Sequence, residues 1–579
     1  MVQEKWFETK IPGDYRAIAK DYEVSPIMAR LLANRGIQNA AEAAAYLHPD
    51  DRSRIYAYDG LPDIDRCTQI LADMIAGKKH IRVIGDYDID GVCATYILTK
   101  GLRRLGADVD YAIPHRILDG YGLNDRLIQE AADAGVDCII TCDNGISAAA
   151  QIELAHELGM TVVVTDHHEV PYHMDGEERV EDLPEAEAVV DIKRADSCYP
   201  FRDICGGQVA FKVITALCDR MGDKERKAAD GLTEFAAFAA IGDVMPLADE
   251  NRALVKQGLA ALQRTENIGM RALIRGQGID GSSLKPYHVG FILGPCINAT
   301  GRLATAENAF DLLDTDSETE AERLAGQLIA MNADRRDMTD KGLEAALRVA
   351  EDDVHRDDRV LVIYLPDTHE SVAGIIAGKV REETGKPVFV LTDGEHGIKG
   401  SGRSIDEYDM HSAMTEVSDL FAKFGGHRMA GGLTLAEGVT PDMLGERLNR
   451  VCTLTDEDMA VKIHFDMQLP FSYADMALAE ELEELEPLGC GNPKPLFAAR
   501  DVILSDMKVL GRNQNVFKCT AQDASGCRMD AVYFGNAPEL MEYAKKKRAG
   551  GEGMKLLYYP EINEYRGNRT VQLRIEHYC

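Results

Sequence analysis

The sequence lacks the features that mark membrane-spanning, secreted and disulfide-stabilised proteins. No apolar run approaches the ~18 residues that a transmembrane helix needs, so we expect no membrane association. The N-terminal stretch MVQEKWFETK carries charges where a signal peptide has its apolar centre. Thirteen scattered cysteines without a CxxC pair predict reduced thiols and argue against a zinc ribbon. The expected compartment is therefore the cytoplasm.

Basic residues are scarce relative to acidic ones. The chain has 64 lysines and arginines against 97 aspartates and glutamates, which gives a formal net charge of −33. Proteins that coat long duplex DNA are usually basic, so this composition disfavours non-specific binding to nucleic acid but not a focused site. The 579 residues exceed what a single core holds, and a prior of ~150 residues per domain predicts three or four domains.

Helices and strands are expected to alternate between residue 61 and about residue 200. Near-continuous apolar runs such as CIIT, TVVVT and AVVD are typical of parallel strands that helices cover on both faces. The predicted strands are 81–85, 108–113, 137–141, 161–165 and 187–191. This pattern predicts an α/β domain with a parallel sheet, in which ligands bind at the carboxyl ends of the strands.

Acids and histidines follow three of these predicted strands. The stretch IRVIGDYDIDGVCAT (81–95) presents Asp86, Asp88 and Asp90, TCDNG presents Asp143, and TDHHE presents Asp166, His167, His168 and Glu169. Three acids within five residues repel one another unless a cation lies among them, and carboxylates with neutral imidazole suit Mn²⁺ and neighbouring metals. We therefore predict a divalent-metal site at this edge of the sheet. For the first stretch alone, a helix N-cap with solvated turn acids is an equal alternative.

Residues 205 to 315 are expected to be largely helical. Asp243 follows an apolar helix in AAIGDVMPL, where a helix end and turn is the simpler interpretation. The stretch GPCINATGRL (294–303) is either an anion-binding loop or a turn. Residues 318–354 contain no proline and almost no glycine, which predicts a helix of roughly 50 Å that connects two domains.

A second α/β segment is expected from residue 359. Strand RVLVIYL, helix HESVAGIIAGKVREETG and strand PVFVLTD precede two glycine-rich stretches, GIKGSGRS (397–404) and KFGGHRMAGG (423–432). We expect these stretches to be loops whose backbone N–H groups approach a phosphate, with charge from Arg403, His427 and Arg428. Flexible turns are the alternative.

Short alternating strands from about residue 461 predict a small antiparallel barrel of the OB type. The last hairpin interleaves aromatic and basic residues, namely Tyr558, Tyr559, Tyr565, Arg566, Arg569 and Arg574. Such a surface suits single-stranded nucleic acid, because bases stack on the rings and phosphates attract the cations. The basic run 545–548 either joins this surface or is a solvated helix end.

The motifs GDYDIDG, TCDNG and TDHHE resemble, in this order, those of the DHH phosphoesterase family, and IGDVMPL resembles its fourth motif. PHRILDGYGL, GPCINATGRL, GSGRS, FGGHRMAGG, EPLGCGNPKPLF and PEINEYRG are similar to the branch of the family that degrades single strands from the 5′ end. The resemblance implies a parallel-sheet DHH domain, joined by a long helix to a smaller α/β DHH-associated domain, and a C-terminal OB-like β-barrel.

The resemblance also implies roles for individual residues. The implied ligands of two Mn²⁺ or Mg²⁺ ions are Asp86, Asp88, Asp90, Asp143, His167 and Asp243, with Asp143 between the two ions. His168 would contact the scissile phosphate or the leaving oxygen, and His427 would face the metals. The expected contacts to the substrate are Arg116, Asn298, Arg302, Ser401, Arg403, Tyr565 and Arg566. Among these, the three arginines at 116, 302 and 403 and the serine at 401 would hold the terminal 5′-phosphate.

One position departs from the family pattern. Ile84 stands where many DHH enzymes have a histidine, and an apolar side chain cannot bind a metal. We therefore expect one of the two metals to be held more weakly, with Asp86 supplying more of its coordination.

Five segments are expected: an N-terminal helical lead-in (1–60), a DHH catalytic domain (61–316), a long connecting helix (317–355), a DHH-associated domain that clamps the substrate (356–456) and an OB-fold nucleic-acid-binding domain (457–579). The implied activity is degradation of single-stranded DNA to 5′-mononucleotides in DNA repair and recombination. A monomer is implied, with a helicase and a single-stranded-DNA-binding protein as partners. The alternatives are a phosphodiesterase for short oligonucleotides or cyclic dinucleotides, and a non-catalytic DHH-fold scaffold in a replication assembly.

Overall fold

The computed structural model describes residues 4–11, 14–48, 55–116, 118–176, 178–224, 226–352, 355, 357–394, 397–565 and 567–579, without the side chain of Tyr565. The chain forms two compact units. One contains Ala57–Asp243 and Gly258–Val461, and the other contains Trp6–Tyr56, Val244–Gln257 and Lys462–Cys579. None of the described helices combines the length and apolar character that crossing a bilayer requires.

The described strands are, in chain order, β1 (Glu4–Glu8), β2 (His80–Ile84), β3 (Asp108–Ala112), β4 (Cys138–Thr141), β5 (Thr161–Asp166), β6 (Tyr172–Asp175), β7 (Glu178–Glu181), β8 (Ala188–Asp191), β9 (Leu361–Tyr364), β10 (Val388–Gly394), β11 (Gly397–Arg403), β12 (Phe421–His427), β13 (Ala430–Leu435), β14 (Val461–Phe465), β15 (Met467–Gln468), β16 (Phe497–Leu510), β17 (Val516–Gln522), β18 (Arg528–Phe534), β19 (Met554–Tyr565) and β20 (Asn568–Tyr578).

The described α-helices are α1 (Tyr15–Asp21), α2 (Pro26–Asn34), α3 (Ala40–Leu47), α4 (Ile64–Ala76), α5 (Ile89–Arg104), α6 (Asp125–Asp133), α7 (Ala149–Glu157), α8 (Gly206–Met221), α9 (Thr233–Gly242), α10 (Asp249–Leu262), α11 (Ile268–Gly276), α12 (Pro286–His288), α13 (Gly294–Leu303), α14 (Glu307–Asp314), α15 (Glu318–Ala350), α16 (Glu370–Thr384), α17 (Met410–Glu416), α18 (Pro441–Val451), α19 (Met476–Glu483) and α20 (Ala537–Ala549). A π-helical turn, Val289–Leu293, joins α12 to α13.

The first sheet of the first unit has the strand order β3-β2-β4-β5-β8, and every pairing in it is parallel. Strands β4, β5 and β8 are almost completely buried, as at Ile140 and Val163, because helices cover both faces, whereas the edge strand β3 is only partly buried. The predicted parallel sheet is therefore confirmed, strand by strand. An exposed β6–β7 hairpin, which the sequence pattern did not predict, lies between β5 and β8 along the chain.

The stretch GPCINATGRL is a helix, α13, so the predicted loop or turn is wrong. Its glycines allow a neighbouring segment to pack closely against the helix and do not mark a bend in the chain. A Cβ atom on Gly301 would lie 2.6 Å from the carbonyl oxygen of Tyr87, in the acidic loop after β2. The helix therefore packs directly against that loop. The long connecting helix is confirmed as α15, with 33 residues.

The second sheet of the same unit has the order β12-β13-β11-β10-β9, in which only β9 and β10 are parallel. Both glycine-rich stretches form its strands β11, β12 and β13, so the predicted loops are wrong. Packing explains the glycine at position 402, since a Cβ atom there would lie 2.5 Å from the sulfur of Met410 and 2.8 Å from the ring of Phe389.

The second unit contains the predicted barrel. Strands β16, β17, β18, β20 and β19 pair in that order, and β19 pairs again with β16, which closes the barrel. The pairing of β18 with β20 is parallel, so the prediction of an antiparallel barrel is wrong at this one pair. Its core also contains Ile18, Met28 and Leu47 of helices α1–α3. The expected lead-in is therefore not a separate body, because its apolar side chains are buried in the barrel unit.

Candidate metal centre and anion pocket

The acidic loop between β2 and α5 begins the candidate metal centre. Asp88 caps α5, since its Oδ1 accepts hydrogen bonds from the backbone N–H groups of Asp90 and Gly91, both at 3.0 Å. Asp90 accepts from the N–H groups of Gly206 and Gly207 at the start of α8, at 2.7 and 2.8 Å. The N-cap interpretation and the metal-ligand interpretation therefore coexist, because a cap uses only some of the carboxylate oxygens.

Asp143 follows β4 in an uncommon backbone conformation, with φ of 61°. Its N–H donates to the carbonyl of Thr165, and its own carbonyl accepts from the hydroxyl of Tyr121 at 2.7 Å. Two anchors thus hold the residue on either side of its side chain. The carboxylate, which is almost fully buried, lies 3.0 Å from Nε2 of His167.

The two histidines after β5 differ in their surroundings. His167 is buried, and its Nε2 lies 3.5 Å from Asp90 and 3.8 Å from Asp243, the residue that ends α9. His168 is half-exposed, and its Nδ1 lies 2.8 Å from Oδ1 of Asp166. The two rings therefore have different positions: His167 lies among the acids, and His168 lies at the opening of the site, next to Asp166.

Three groups of side chains place their ligand atoms within 4.8 Å of one another. They are Asp90, His167 and Asp243; Asp86, Asp88 and Asp143; and Asp143, His167 and His168. All six residues expected to bind metal therefore meet at one sheet edge. Asp143 and His167 each belong to two groups, and of these two only the carboxylate of Asp143 has two ligand oxygens with which to serve two ions.

The electrostatics of this cluster fit divalent cations. Burial, with repulsion from neighbouring acids, raises the pKa of Asp86, Asp88 and Asp143, and raises the pKa of Asp243 to about 8. Oδ1 of Asp86 and Oδ2 of Asp243 are buried without a hydrogen-bond partner. Buried carboxylate oxygens without donors are costly, and a hard divalent cation satisfies them.

The histidine protonation states also differ. Burial lowers the pKa of His167, which favours the neutral, ligating imidazole. For His168, burial opposes charge, but the hydrogen bond and attraction from Asp166 prevail and raise its pKa to about 9. Burial alone would likewise raise the pKa of Asp166, yet contact with His168 and backbone N–H donors lowers it. An ion pair between Asp166 and a charged His168 is therefore favoured beside the acidic cluster.

A cavity of about 280 Å³ opens where Arg116, in the loop after β3, meets α16 and the second sheet of this unit. Its lining is Arg116, Glu370, Ser371, Ala373, Thr392, Lys399, Gly400, Ser401, Gly432 and Leu433. Burial and then repulsion from Arg116 and Arg335 lower the pKa of Arg302 to about 9, while burial and Arg381 lower the pKa of Arg403. Clustered, partly desolvated guanidinium groups that lower one another's pKa values bind an anion such as phosphate well.

The remaining predicted contacts have distinct environments. Arg302 donates to the carbonyl of Ser371 at 2.5 Å, and its Nε is buried without a partner. Asn298 holds the acidic loop between β2 and α5, called the metal loop below, because its Oδ1 accepts a hydrogen bond from the N–H of Ile89 at 2.8 Å. His427 is exposed at the end of β12. Arg566 and the side chain of Tyr565 lie outside the described residues.

The departure at Ile84 has a clear structural setting. Its side chain is fully buried in an apolar cluster with Leu123, Leu127 and Ile128. It therefore belongs to the core of the sheet and contributes no ligand.

Sequence reasoning missed three contributors to these sites. Tyr121 contacts both Asp143 and His168, and the only signal was an aromatic residue inside PHRILDGYGL. Arg335 of the long helix lies close enough to Arg302 to lower its pKa, and the Nε of Arg335 is buried without a hydrogen-bond partner. Lys399 pairs with Glu370 at 2.9 Å at the cavity. Helical and strand periodicity place such residues on a face but do not identify their long-range neighbours.

The expected aromatic surface of the barrel is only partly present. Tyr558 and Tyr559 are buried in the barrel core, so the prediction that they stack with nucleic acid is wrong. The two residues are consecutive and therefore point to opposite faces of β19, and both faces of the strand are covered at this point. Elsewhere on the barrel, Lys508 and Lys518 are exposed and directly opposite each other, and Arg574 lies 5.1 Å from the exposed ring of Phe534.

Comparison with known families supports this architecture. Residues 80–242 match the DHH family, N-terminal domain, residues 357–454 match the DHHA1 domain, and residues 465–577 match the RecJ OB domain. A parallel sheet with acids and histidines at its carboxyl edge, followed by a DHHA1 domain, defines the DHH class of phosphoesterases.

Individual relatives narrow the class. The chain is 33% identical to the single-stranded-DNA-specific exonuclease RecJ of Bacillus subtilis, covering 97% of this chain and 69% of that protein. It is 32% identical to the Dickeya dadantii RecJ, covering 98% of this chain and 97% of that protein. The structure of Thermus thermophilus RecJ in complex with Mn²⁺ superposes with a TM-score of 0.80 at 27% identity, over 100% of this chain and 80% of that one. The chain belongs to the RecJ family, and the predicted family and fold class are confirmed.

Proposed function

We propose that this chain is a metal-dependent exonuclease that degrades single-stranded DNA from the 5′ end to 5′-mononucleotides. The observation that carries the proposal is the cavity lined by Arg116, Lys399 and Ser401, with Arg302 and Arg403 next to its lining residues, in the same compact unit as the metal centre. Helix α13 contacts both, through Asn298 at the metal loop and Arg302 at the cavity. An end phosphate held in the cavity would fix one phosphodiester at the acidic cluster.

The metal ligands of the proposal are Asp86, Asp88, Asp90, Asp143, His167 and Asp243, with Asp143 shared between two Mn²⁺ or Mg²⁺ ions. When bound, such ions activate a water molecule and stabilise charge on the phosphate. The geometry and raised pKa values of the carboxylates support this ligand set. Structures of Thermus thermophilus RecJ in complex with Mn²⁺ and with Mg²⁺ also support it.

The residues around the ligands have separate tasks in this proposal. His168, held by Asp166 in its charged form, would contact the scissile phosphate or the leaving 3′-oxygen. Arg116, Arg302, Ser401 and Arg403 would hold the 5′-phosphate, and Asn298 would position the loop of metal ligands. Roles for His427, Tyr565 and Arg566 in contacting the metals or the strand remain part of the proposal on the family resemblance alone.

The domain assignments are also proposed: catalysis in 61–316, substrate clamping in 356–456 and strand binding in 457–579. The exposed Lys518 and Phe534, on the second and third strands of the barrel, support strand binding, since these strands of an OB barrel usually contact nucleic acid. We further propose a monomer that acts in DNA repair and recombination with a helicase and a single-stranded-DNA-binding protein. The thirteen cysteines, all of which lie in described residues, form no disulfide, and this supports a reducing, cytoplasmic location.

The test is product analysis on a 5′-phosphorylated single strand about 30 nucleotides long, labelled in turn at each end, with Mn²⁺ and with chelator. We expect early release of the 5′ label as a mononucleotide and stepwise shortening of the 3′-labelled strand. Cleavage of only two- to five-nucleotide substrates would instead assign the short-oligonucleotide activity. Absence of any metal-dependent cleavage would favour the scaffold.

Asp143→Asn is the matched active-site variant for this assay. We expect at least a ~100-fold loss of metal-dependent turnover, because the substitution removes charge from a carboxylate that belongs to two of the three groups of candidate ligands. Asp133→Asn, which changes an exposed acid at the end of α6, should retain the activity. Full turnover by Asp143→Asn would contradict the ligand assignment.

A further inference from the structure

Two aromatic side chains are stacked on each other and exposed in the compact unit that contains the metal centre, called the catalytic unit below. The rings of Tyr287 and Phe291 lie 5.1 Å apart with an interplanar angle of 24°. Tyr287 is 61% exposed and Phe291 is 67% exposed, so the pair packs into no core. Large exposed apolar groups that lie together commonly mark a binding surface.

The pair lies on the helical stretch that also serves the metal centre. Helix α12, the π-helical turn and α13 run continuously from Pro286 to Leu303. In this stretch Gly294 packs so tightly that a Cβ atom there would lie 2.9 Å from the side chain of Ile89, the residue between Asp88 and Asp90. Phe291 is therefore three residues before Gly294, the position at which this helical stretch contacts the metal loop. Moreover, π-helical turns frequently occur at functional sites.

Three levels along this stretch have different chemistry. Arg302, at the C-terminal end, donates to the carbonyl of Ser371, which lines the cavity. Asn298 holds the N–H of Ile89 in the metal loop. Tyr287 and Phe291 lie at the opposite end. At 1.5 Å per residue, Arg302 is about 6 Å from Asn298 along the axis, and Phe291 is roughly 10 Å beyond Asn298.

This order matches the order of groups on a strand. A strand with its 5′-phosphate at the arginines and its scissile bond at the metal ligands continues, on its 3′ side, towards the aromatic end of the helix. Nucleobases are flat apolar surfaces that single strands expose, and they stack on aromatic side chains without sequence preference. A stacked ring pair thus offers a platform at the point where the departing strand leaves the metal centre.

We propose that Tyr287 and Phe291 form a stacking platform for nucleobases on the 3′ side of the scissile bond. The proposal rests on the proposed exonuclease function. It extends that function, because neither ring belongs to the metal ligands or the anion pocket. By holding unpaired bases, the platform favours an unstacked single strand over a duplex, whose bases are already paired and stacked.

The test combines protein variants with abasic substrates. A 5′-phosphorylated, 5′-labelled strand carries one abasic site, moved in turn through the first several nucleotides after the scissile bond, and release of the first nucleotide is measured. For the wild type, we expect kcat/KM to fall roughly tenfold at one or two adjacent positions only. Phe291→Ala should show a similar fall on the intact strand and no further fall at those positions.

Matched controls separate stacking from misfolding. Tyr172→Ala removes a ring of similar exposure on the β6–β7 hairpin and should behave as the wild type. Phe291→Leu keeps an apolar side chain but no ring for stacking. Its kcat/KM on the intact strand should therefore fall almost as far as that of Phe291→Ala. A dinucleotide substrate, too short to reach the platform, should be cleaved equally by Phe291→Ala and the wild type.

The outcomes distinguish this inference from the function on which it rests. A wild type that cleaves no single strand overturns the proposed function. A wild type that cleaves, with Phe291→Ala equally active or still sensitive to the same abasic positions, overturns only the platform. That second result would indicate that the ring pair serves another occupant, such as a protein partner.

Discussion

Asp143 illustrates how single residues organise this centre. Its backbone lies in the left-handed region, which costs an ordinary residue of order 1 kcal/mol and persists only where neighbours enforce it. The carbonyl of Thr165 and the hydroxyl of Tyr121 provide that enforcement. The resulting carboxylate faces His167 on one side and the acids of the β2–α5 loop on the other. A strained residue held in place thus serves two groups of ligands.

Asp166 is predicted to act through His168. Asp166→Asn should lower kcat about 10- to 100-fold with little change in KM, because an amide no longer fixes and charges the imidazole. Adding Asp166→Asn to His168→Ala should not lower kcat further, so the double variant should have the same kcat as His168→Ala alone. Steady-state kinetics of all three proteins, with melting curves to confirm folding, provide the measurement. Additive losses would instead show independent roles.

Glu234 gives a pH-dependent stability that is separate from catalysis. Burial raises its pKa to about 7, although a hydrogen bond from Thr265 opposes the shift. The folded state therefore binds more protons than the unfolded state between the ordinary carboxyl pKa and about pH 7, and stability falls as pH rises through that window. Glu234→Gln removes this loss. Urea unfolding should show equal stability near pH 4 and a variant more stable by roughly 2–3 kcal/mol at pH 8.

At the scale of elements, the second sheet depends on small residues where strands meet a helix. Gly402 of β11 packs under Met410 and Phe389, whereas Gly425 of β12 has open space at the corresponding position of its Cβ atom. The same residue type therefore has different reasons for its presence in two neighbouring strands. Only the packing of α17 over the sheet distinguishes them.

Gly402→Ala is predicted to destabilise the catalytic unit by about 1–3 kcal/mol, because the added methyl group overlaps buried atoms that cannot move freely. Gly425→Ala should change stability by less than ~0.5 kcal/mol. Chemical denaturation of both variants measures the difference. Equal effects would mean that backbone freedom, rather than packing, explains the glycines of this sheet.

At the scale of the whole molecule, the two compact units have separate cores. The chain leaves the catalytic unit after Asp243, contributes residues 244–257 to the barrel unit and returns. Arg252 anchors that passage, since its guanidinium is fully buried and donates to the backbone carbonyls of Tyr46, Glu484, Leu485, Glu486 and Pro487. The barrel unit is thus assembled from three separate parts of the sequence.

Manganese is predicted to stabilise only one of these units. All candidate ligands lie in the unit of the parallel sheet, so Mn²⁺ should raise the melting temperature of that unit by several degrees and leave the barrel transition unchanged. Differential scanning calorimetry with Mn²⁺ and with chelator measures both transitions. In Asp143→Asn the shift should largely disappear, and an equal shift in that variant would contradict the assigned site.

The sequence by itself determined the parallel sheet, the long helix, the barrel and the collection of acids and histidines at one sheet edge. These features follow from local periodicity and from the rule that parallel strands present their carboxyl ends together. Local patterns predict what each segment is, and the order of segments places the strand ends.

Only the tertiary structure decided which segments meet. It turned Tyr558 and Tyr559 into the barrel core, made strands of the glycine-rich stretches and buried α1–α3 in the barrel unit. It also brought Arg335 to the anion pocket and left Tyr287 and Phe291 exposed beyond the metal loop. These outcomes depend on contacts between residues far apart in the chain, for which a segment's own composition carries no signal.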